Sequence, residues 1–72
     1  MANNQDQAPD VTVEHHGTIF LFRTDNPDVH DWFEAHTDAQ ALGNAYAVGP
    51  RYALAITEVL AEEGFTIAQS NL

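Results

Sequence analysis

"VTVEHHGTIFLFR", residues 11–23, decides how this chain folds. Its first half alternates Val11 and Val13 with polar neighbours, the two-residue period of a half-buried strand. Its second half is a run of β-formers, Ile19, Phe20, Leu21 and Phe22. Between them Gly17 takes positive φ freely and His tolerates it better than most residues, so His16-Gly17 is expected as a two-residue hairpin turn. Pairing through that turn sets Val11 and Val13 beside Phe22 and Phe20 on one face. Ile19 and Leu21 then point to the other face, which makes the second strand apolar on both sides.

The next segment, "NPDVHDWFEAHTD" (residues 26–38), reads as a helix. Asp25 or Asn26 can cap it, and Pro27 costs nothing in a first turn whose N–H groups have no partner in any case. Val29, Trp32, Phe33 and His36 recur at i, i+3, i+4 and i+7, one apolar stripe. On that stripe His36 is expected to be a hydrogen-bonded, half-buried side chain. Asp28, Asp31 and Glu34 fall on the opposite half, and Asp25 and Asp28 sit where the positive end of the helix dipole favours anions. Residues 39–44 read as a connection and 45–48 as a short strand. Gly49-Pro50 then opens a second helix with Tyr52, Ile56, Val59 and Leu60 inward, and Gly64 is a left-handed stop. Residues 65–68 form a last strand, with Phe65 and Ile67 facing one way.

The expected order is therefore β-β-α-β-α-β, without an internal repeat. The fold class is α+β, a two-layer sandwich with two helices on one face of a three- or four-stranded sheet. Phe20, Phe22, Trp32, Phe33, Ile56, Val59, Leu60, Phe65 and Ile67 make up the expected core. Residues 1–10 hold nothing to bury and read as a disordered tail, leaving 11–72 as one small domain. No third helix remains for the face bearing Ile19 and Leu21. Either a second copy covers it or the strand register differs.

Composition narrows the function classes. Eleven Asp and Glu stand against two Arg and no Lys, a formal charge of −9 over 72 residues. Affinity for phosphate is built from Lys and Arg, so direct binding of nucleic acid or of an anionic membrane is not expected. The absence of Cys removes disulfides and thiolate metal sites and fits a reduced, cytoplasmic compartment. No apolar run reaches the roughly 20 residues of a membrane span, and the N-terminal ten lack the pattern of a signal peptide. Catalysts are scarce too. Ser70 is the only Ser, His15 and His16 point opposite ways along a strand, and His30 and His36 are spaced wrongly for one helix face. No cofactor or metal is expected, and a chain this short is expected to have no room for a substrate pocket beside its core. The reading is of a protein that is not an enzyme.

The sign of the surface charge is what remains. An ordinary solvated helix face alternates Glu with Lys, each i,i+4 pair gaining about 0.2–0.5 kcal/mol. Here Glu58 and Glu62 form a like-charged pair instead. Glu62 and Glu63 also occupy a C-terminal turn, where the dipole disfavours anions by about 0.3–1 kcal/mol each. Local rules broken without local gain point towards function. Asp25, Asp28, Asp31, Glu34, Asp38, Glu58 and Glu62 are thus the expected contacts to a basic protein surface, such as one that binds nucleic acid. The competing expectation is a homodimeric accessory protein joined through Ile19 and Leu21, its acids serving solubility or a high-salt environment.

Beyond these readings, "VTVEHHGTIFLF", "DWFEAH", "GNAYAV", "RYA" and "EEGFTI" resemble segments of a group of small uncharacterised bacterial proteins. In that group a His-Gly-Ser/Thr-Ile turn and strand precede a helix with one Trp, a small-residue strand and an Arg-Tyr helix start. An Asp/Glu-Gly-hydrophobic ending follows. The resemblance implies a shared turn, core and caps, and no activity. In size and charge alone the chain is similar to phage-encoded anti-CRISPR and anti-restriction proteins that mimic nucleic acid.

Overall fold

A computed structural model describes residues 9–70 of the chain. Up to residue 8, the tail expected over 1–10 lies outside the described residues. The elements are β1 (Val11–His16), β2 (Ile19–Arg23), α1 (Pro27–His36), β3 (Gln40–Leu42), β4 (Ala45–Val48), α2 (Pro50–Glu62) and β5 (Ile67–Ser70). The class is the expected α+β sandwich, but with five strands. The sheet order is β3-β4-β2-β1-β5, antiparallel throughout except for the parallel β1–β5 pair.

The first hairpin turns one residue later than expected. His16 pairs with Ile19, so the loop is Gly17-Thr18, and Val13 lies opposite Phe22. Gly17 has φ of 67° while Thr18 stays out of that region. A two-residue loop with Gly first places positive φ where no Cβ suffers from it, and spares His16. The shift moves the partner by two residues, so every side chain keeps its expected face.

β3 falls within the stretch expected as a connection. It is only three residues long, too short for a two-residue period to show, and it pairs with β4 through a second Gly-first loop, Gly43-Asn44. The fold is therefore built from two hairpin–helix units, β1-β2-α1 and β3-β4-α2, whose inner strands β2 and β4 meet antiparallel. No repeat in the sequence announces this. What the units share is a Gly-first turn and a helix opening on Pro, Pro27 in one and Pro50 in the other.

Local chemistry sets the helix ends. Asn26 caps α1, its Oδ1 accepting the backbone N–H of Asp28 at 2.9 Å. α2 ends with Gly64 at φ 99°. The N–H of Gly64 donates to the carbonyl of Ala61 and that of Phe65 to the carbonyl of Leu60, the paired bonds of a Schellman stop. Leu60 and Phe65 both belong to the core, the apolar contact that accompanies this stop. Asp10 ties three elements together. Its carbonyl accepts from Thr24 Oγ1, and its carboxylate accepts from Asn26 Nδ2 and from the backbone N–H of Thr66. The Thr66 bond above all holds the Asp10 carboxyl below its ordinary range. Asp10, expected in the tail, is thus bonded into the fold.

Both helices cover one sheet face. Val11, Val13, Phe22, Tyr46 and Val48 from the sheet meet Val29 and Phe33 from α1 and Ala53 and Leu60 from α2. Phe33 lies flat on Tyr46, ring centres 4.4 Å apart, and meets Phe22 edge-on at 5.7 Å. Of the expected core, Phe22, Phe33 and Leu60 are fully buried, while Phe20, Trp32, Ile56, Phe65 and Ile67 are half-buried around them. Val59 is a correction: it is 38% exposed. The buried stripe of α2 runs through Ala53 and Leu60, rotated away from the Tyr52–Val59 side expected from large side chains alone. Among the described residues the opposite sheet face carries Ile19, Leu21, Ala47 and Leu42 and no helix.

Candidate functional site

The rotation of α2 leaves a concavity beside it. Trp32 and His36 of α1 face Tyr52, Ile56 and Val59 of α2 across a cleft of about 690 Å³, floored by Val48 and the backbone of β4 beside it. The expectation that so short a chain leaves no such space is corrected: the two helices on one sheet leave a gap between them that small Ala55 does not fill. The volume lies in the range used by ligand sites. Its lining is chiefly apolar, with Asp38 the one acid and no Lys or Arg. Tyr52 is 60% exposed at its edge.

His36 is exposed, in place of the half-buried position expected. Its ring stacks on Trp32 at 4.9 Å, and its Nδ1 lies 3.0 Å from the Trp32 carbonyl. A carbonyl only accepts, so Nδ1 carries the proton. In the neutral ring Nε2 is then left as an acceptor. Thr37, the hydroxyl beside it, donates to the Phe33 carbonyl. The cleft offers shape, aromatic surface and one ring acceptor, and its lining contains no Ser, Cys or Lys to act as a nucleophile.

A second polar cluster lies under α1. His30 Nε2 donates to the Thr24 carbonyl at 3.0 Å, and its Nδ1 lies 3.0 Å from the Tyr46 hydroxyl. That hydroxyl donates to Glu34 Oε2 at 3.2 Å. Burial first, and then Glu34, raise the Tyr46 pKa, so the phenol keeps its proton. Tyr46 is buried and out of reach of a substrate, and the cluster fastens α1 to β4. Glu34 is therefore partly engaged inward, which its place on the polar half of the helix did not reveal.

The other expected acids are scattered over the helical layer. Asp28 and Asp31 are exposed on α1, Glu58 and Glu62 on α2, and Asp38 lines the cleft just after α1. Asp25 accepts from Asn44 Nδ2 at 3.2 Å, near the far end of the sheet. Among the described residues both ion pairs go to Glu14, from Arg23 and from His16. Neither involves an acid of α1 or α2. Arg51 stands in the first turn of α2 and Glu62 in its last, so the charges of this helix oppose its dipole at both ends.

Glu14 and Arg23 lie on the uncovered sheet face beside Leu21, joined by two bonds of 3.0 and 3.1 Å. His15, one residue on, faces the other way and stacks on Phe20 at 4.5 Å. Ile19 and Leu42 on the uncovered face are 37% and 48% exposed. The chain matches no family model, no curated protein and no solved structure.

Arg23 above all, and then His16, pull the Glu14 carboxyl from the usual 4.5 down to about 2. A carboxyl lowered by folding stabilises the native state above its unfolded pKa and loses that contribution as pH falls through the folded one. Urea midpoints of wild type and Glu14→Gln should therefore differ most near neutral pH. The gap should narrow as pH drops from 4.5 towards 2. A gap that stays constant down to about pH 2.5 would show that the pair contributes nothing to stability.

Proposed function

We propose that this protein is a small, non-enzymatic binding protein whose acidic helical layer occupies a basic surface on a partner protein. A surface evolved to hold nucleic acid is the type of partner such a layer would block, as an inhibitor of the anti-CRISPR or anti-restriction kind does. The observation that carries the reading is the lack of any compensating cation. Among the described residues, Asp28, Asp31, Glu58 and Glu62 stand exposed with no Arg beside them, on helices that gain nothing from three of those four charges. Asp28, in the first turn of α1, is the one the dipole favours.

Isolated surface pairs contribute only about 0–1 kcal/mol, so the effect must come from several charges acting together and from steering on approach. The test is capture of partners from host and phage-infected lysates by wild type and by Asp28→Asn, Asp31→Asn, Glu58→Gln, Glu62→Gln combined. Wild type should retain a basic partner at low salt and release it as salt rises past physiological strength, where screening shortens to about 8 Å. The neutralised protein should retain none of it. Equal capture by both, with the fold intact by circular dichroism, would reduce the acids to a solvated face.

One observation favours a second reading, a homodimeric accessory protein. Ile19, Leu21, Ala47 and Leu42 form an apolar strip on the sheet face that no helix of the described residues covers, and exposed strips of this kind often mark interfaces. In this reading sedimentation at micromolar concentration shows a dimer, and Leu21→Lys shifts it to monomer. A wild-type monomer across the concentration range removes the reading.

A further inference from the structure

The cleft between α1 and α2 gives the acidic layer a shape. Resting on the acidic-surface reading, we propose that this cleft receives a basic amphipathic helix of the partner protein, apolar ridge inward. Recognition of this kind lays apolar residues at i, i+3, i+4 and i+7 into a hydrophobic groove. Trp32, Ile56 and Val59 supply the apolar walls, and Tyr52 extends them at the rim. α2 lines the cleft from Tyr52 to Val59, about 10 Å of wall at 1.5 Å per residue, enough for about two turns of a bound helix.

Charge selects the occupant. The stripe of α2 that lines the cleft passes through Tyr52, Ala55, Ile56 and Val59, and the next turn of that stripe is Glu62 and Glu63. On α1, Asp28 precedes Trp32 by one turn, and Asp38 lies in the lining itself. The apolar seam is thus bordered by acids on both walls, and no Lys or Arg lines it. Lys and Arg flanking an apolar ridge complete this pattern. A second copy of the chain does not, because it brings nine further negative charges. His36 Nε2 adds an acceptor suited to an N–H donor at the ridge.

Trp32 is the only Trp, so its fluorescence reports occupancy of the cleft directly. The probe is a Trp-free Leu/Lys peptide of about 14 residues with all Leu on one helical face, roughly 20 Å when helical. Its control is a shuffled peptide of the same composition with no apolar face. The amphipathic peptide should perturb Trp32 saturably and bind about tenfold or more tighter than the shuffled one. Val59→Asn and Tyr52→Ser, both at exposed positions and neutral in charge, should each weaken it about fivefold or more. Equal binding of the two peptides, or affinity unchanged in both variants, would overturn the groove and leave the acidic-surface reading standing on partner capture. No binding of either peptide would likewise overturn the groove. A dimer broken by Val59→Asn would overturn it in favour of a second copy.

Discussion

Phe33 seated flat on Tyr46, with Phe22 against its edge, is the contact on which the helical layer depends. It joins α1 to the two inner strands, β4 and β2, where the hairpin units meet. Once Phe33 points at the sheet, the rest of α1 follows from 100° per residue. His30 and Glu34 come round to the Tyr46 hydroxyl, Trp32 and His36 turn towards α2, and Asp28 and Asp31 are left facing water. A single buried aromatic thus sets which acids are free and which side of the helix walls the cleft. Rings in this geometry contribute about 0.5–1.5 kcal/mol beyond their area burial, a sizeable share of the stability available to so short a chain.

The two helices use charge differently. α1 follows its dipole at the N-terminus, with Asp28 in the first turn. α2 inverts it, with Arg51 first and Glu62 last. α2 also presents Tyr52 and Val59 to the cleft while Ala53 and Leu60 face the core. A helix selected for packing alone would place Tyr52 inward and Lys at its C-terminus. Both departures lie on the same helix and border the same cleft, a coincidence that supports the proposed link between the acids and the groove. General solubility or a high-salt habitat would account for acids anywhere on the surface, and does not call for an exposed aromatic among them.

Much of the fold is legible in residue order. Gly17 and the Val alternation specify the hairpin, Asn26-Pro27 and Gly64 specify helix ends, and the two-sided apolar pattern of β2 specifies a sheet with one bare face. Three features are not legible, each for a physical reason. β3 is too short for periodicity, though Gly43-Asn44 carries the same turn signal as Gly17-Thr18. The rotation of α2 is hidden because a helical wheel shows the apolar arc and cannot tell which edge of it meets the sheet. Ala53 faces the sheet because a small side chain lets the helix sit close, whereas Tyr52 would hold it off. The bonds of Glu34 and His30 to Tyr46 depend on tertiary contact across 12 and 16 residues, which no local pattern encodes.

The most direct measurement of whether the helical acids serve binding or the fold is urea unfolding of Asp31→Asn, Glu58→Gln and Glu62→Gln combined. Among the described residues these three charges have neither a favourable dipole nor a cation beside them. If they serve binding, the neutralised protein is as stable as wild type or more so at low salt. Any advantage then fades towards 1 M salt, where screening shortens to about 3 Å. A loss of ~1 kcal/mol or more at low salt would show that the carboxylates hold the fold together, and would contradict the assignment of this layer to a partner.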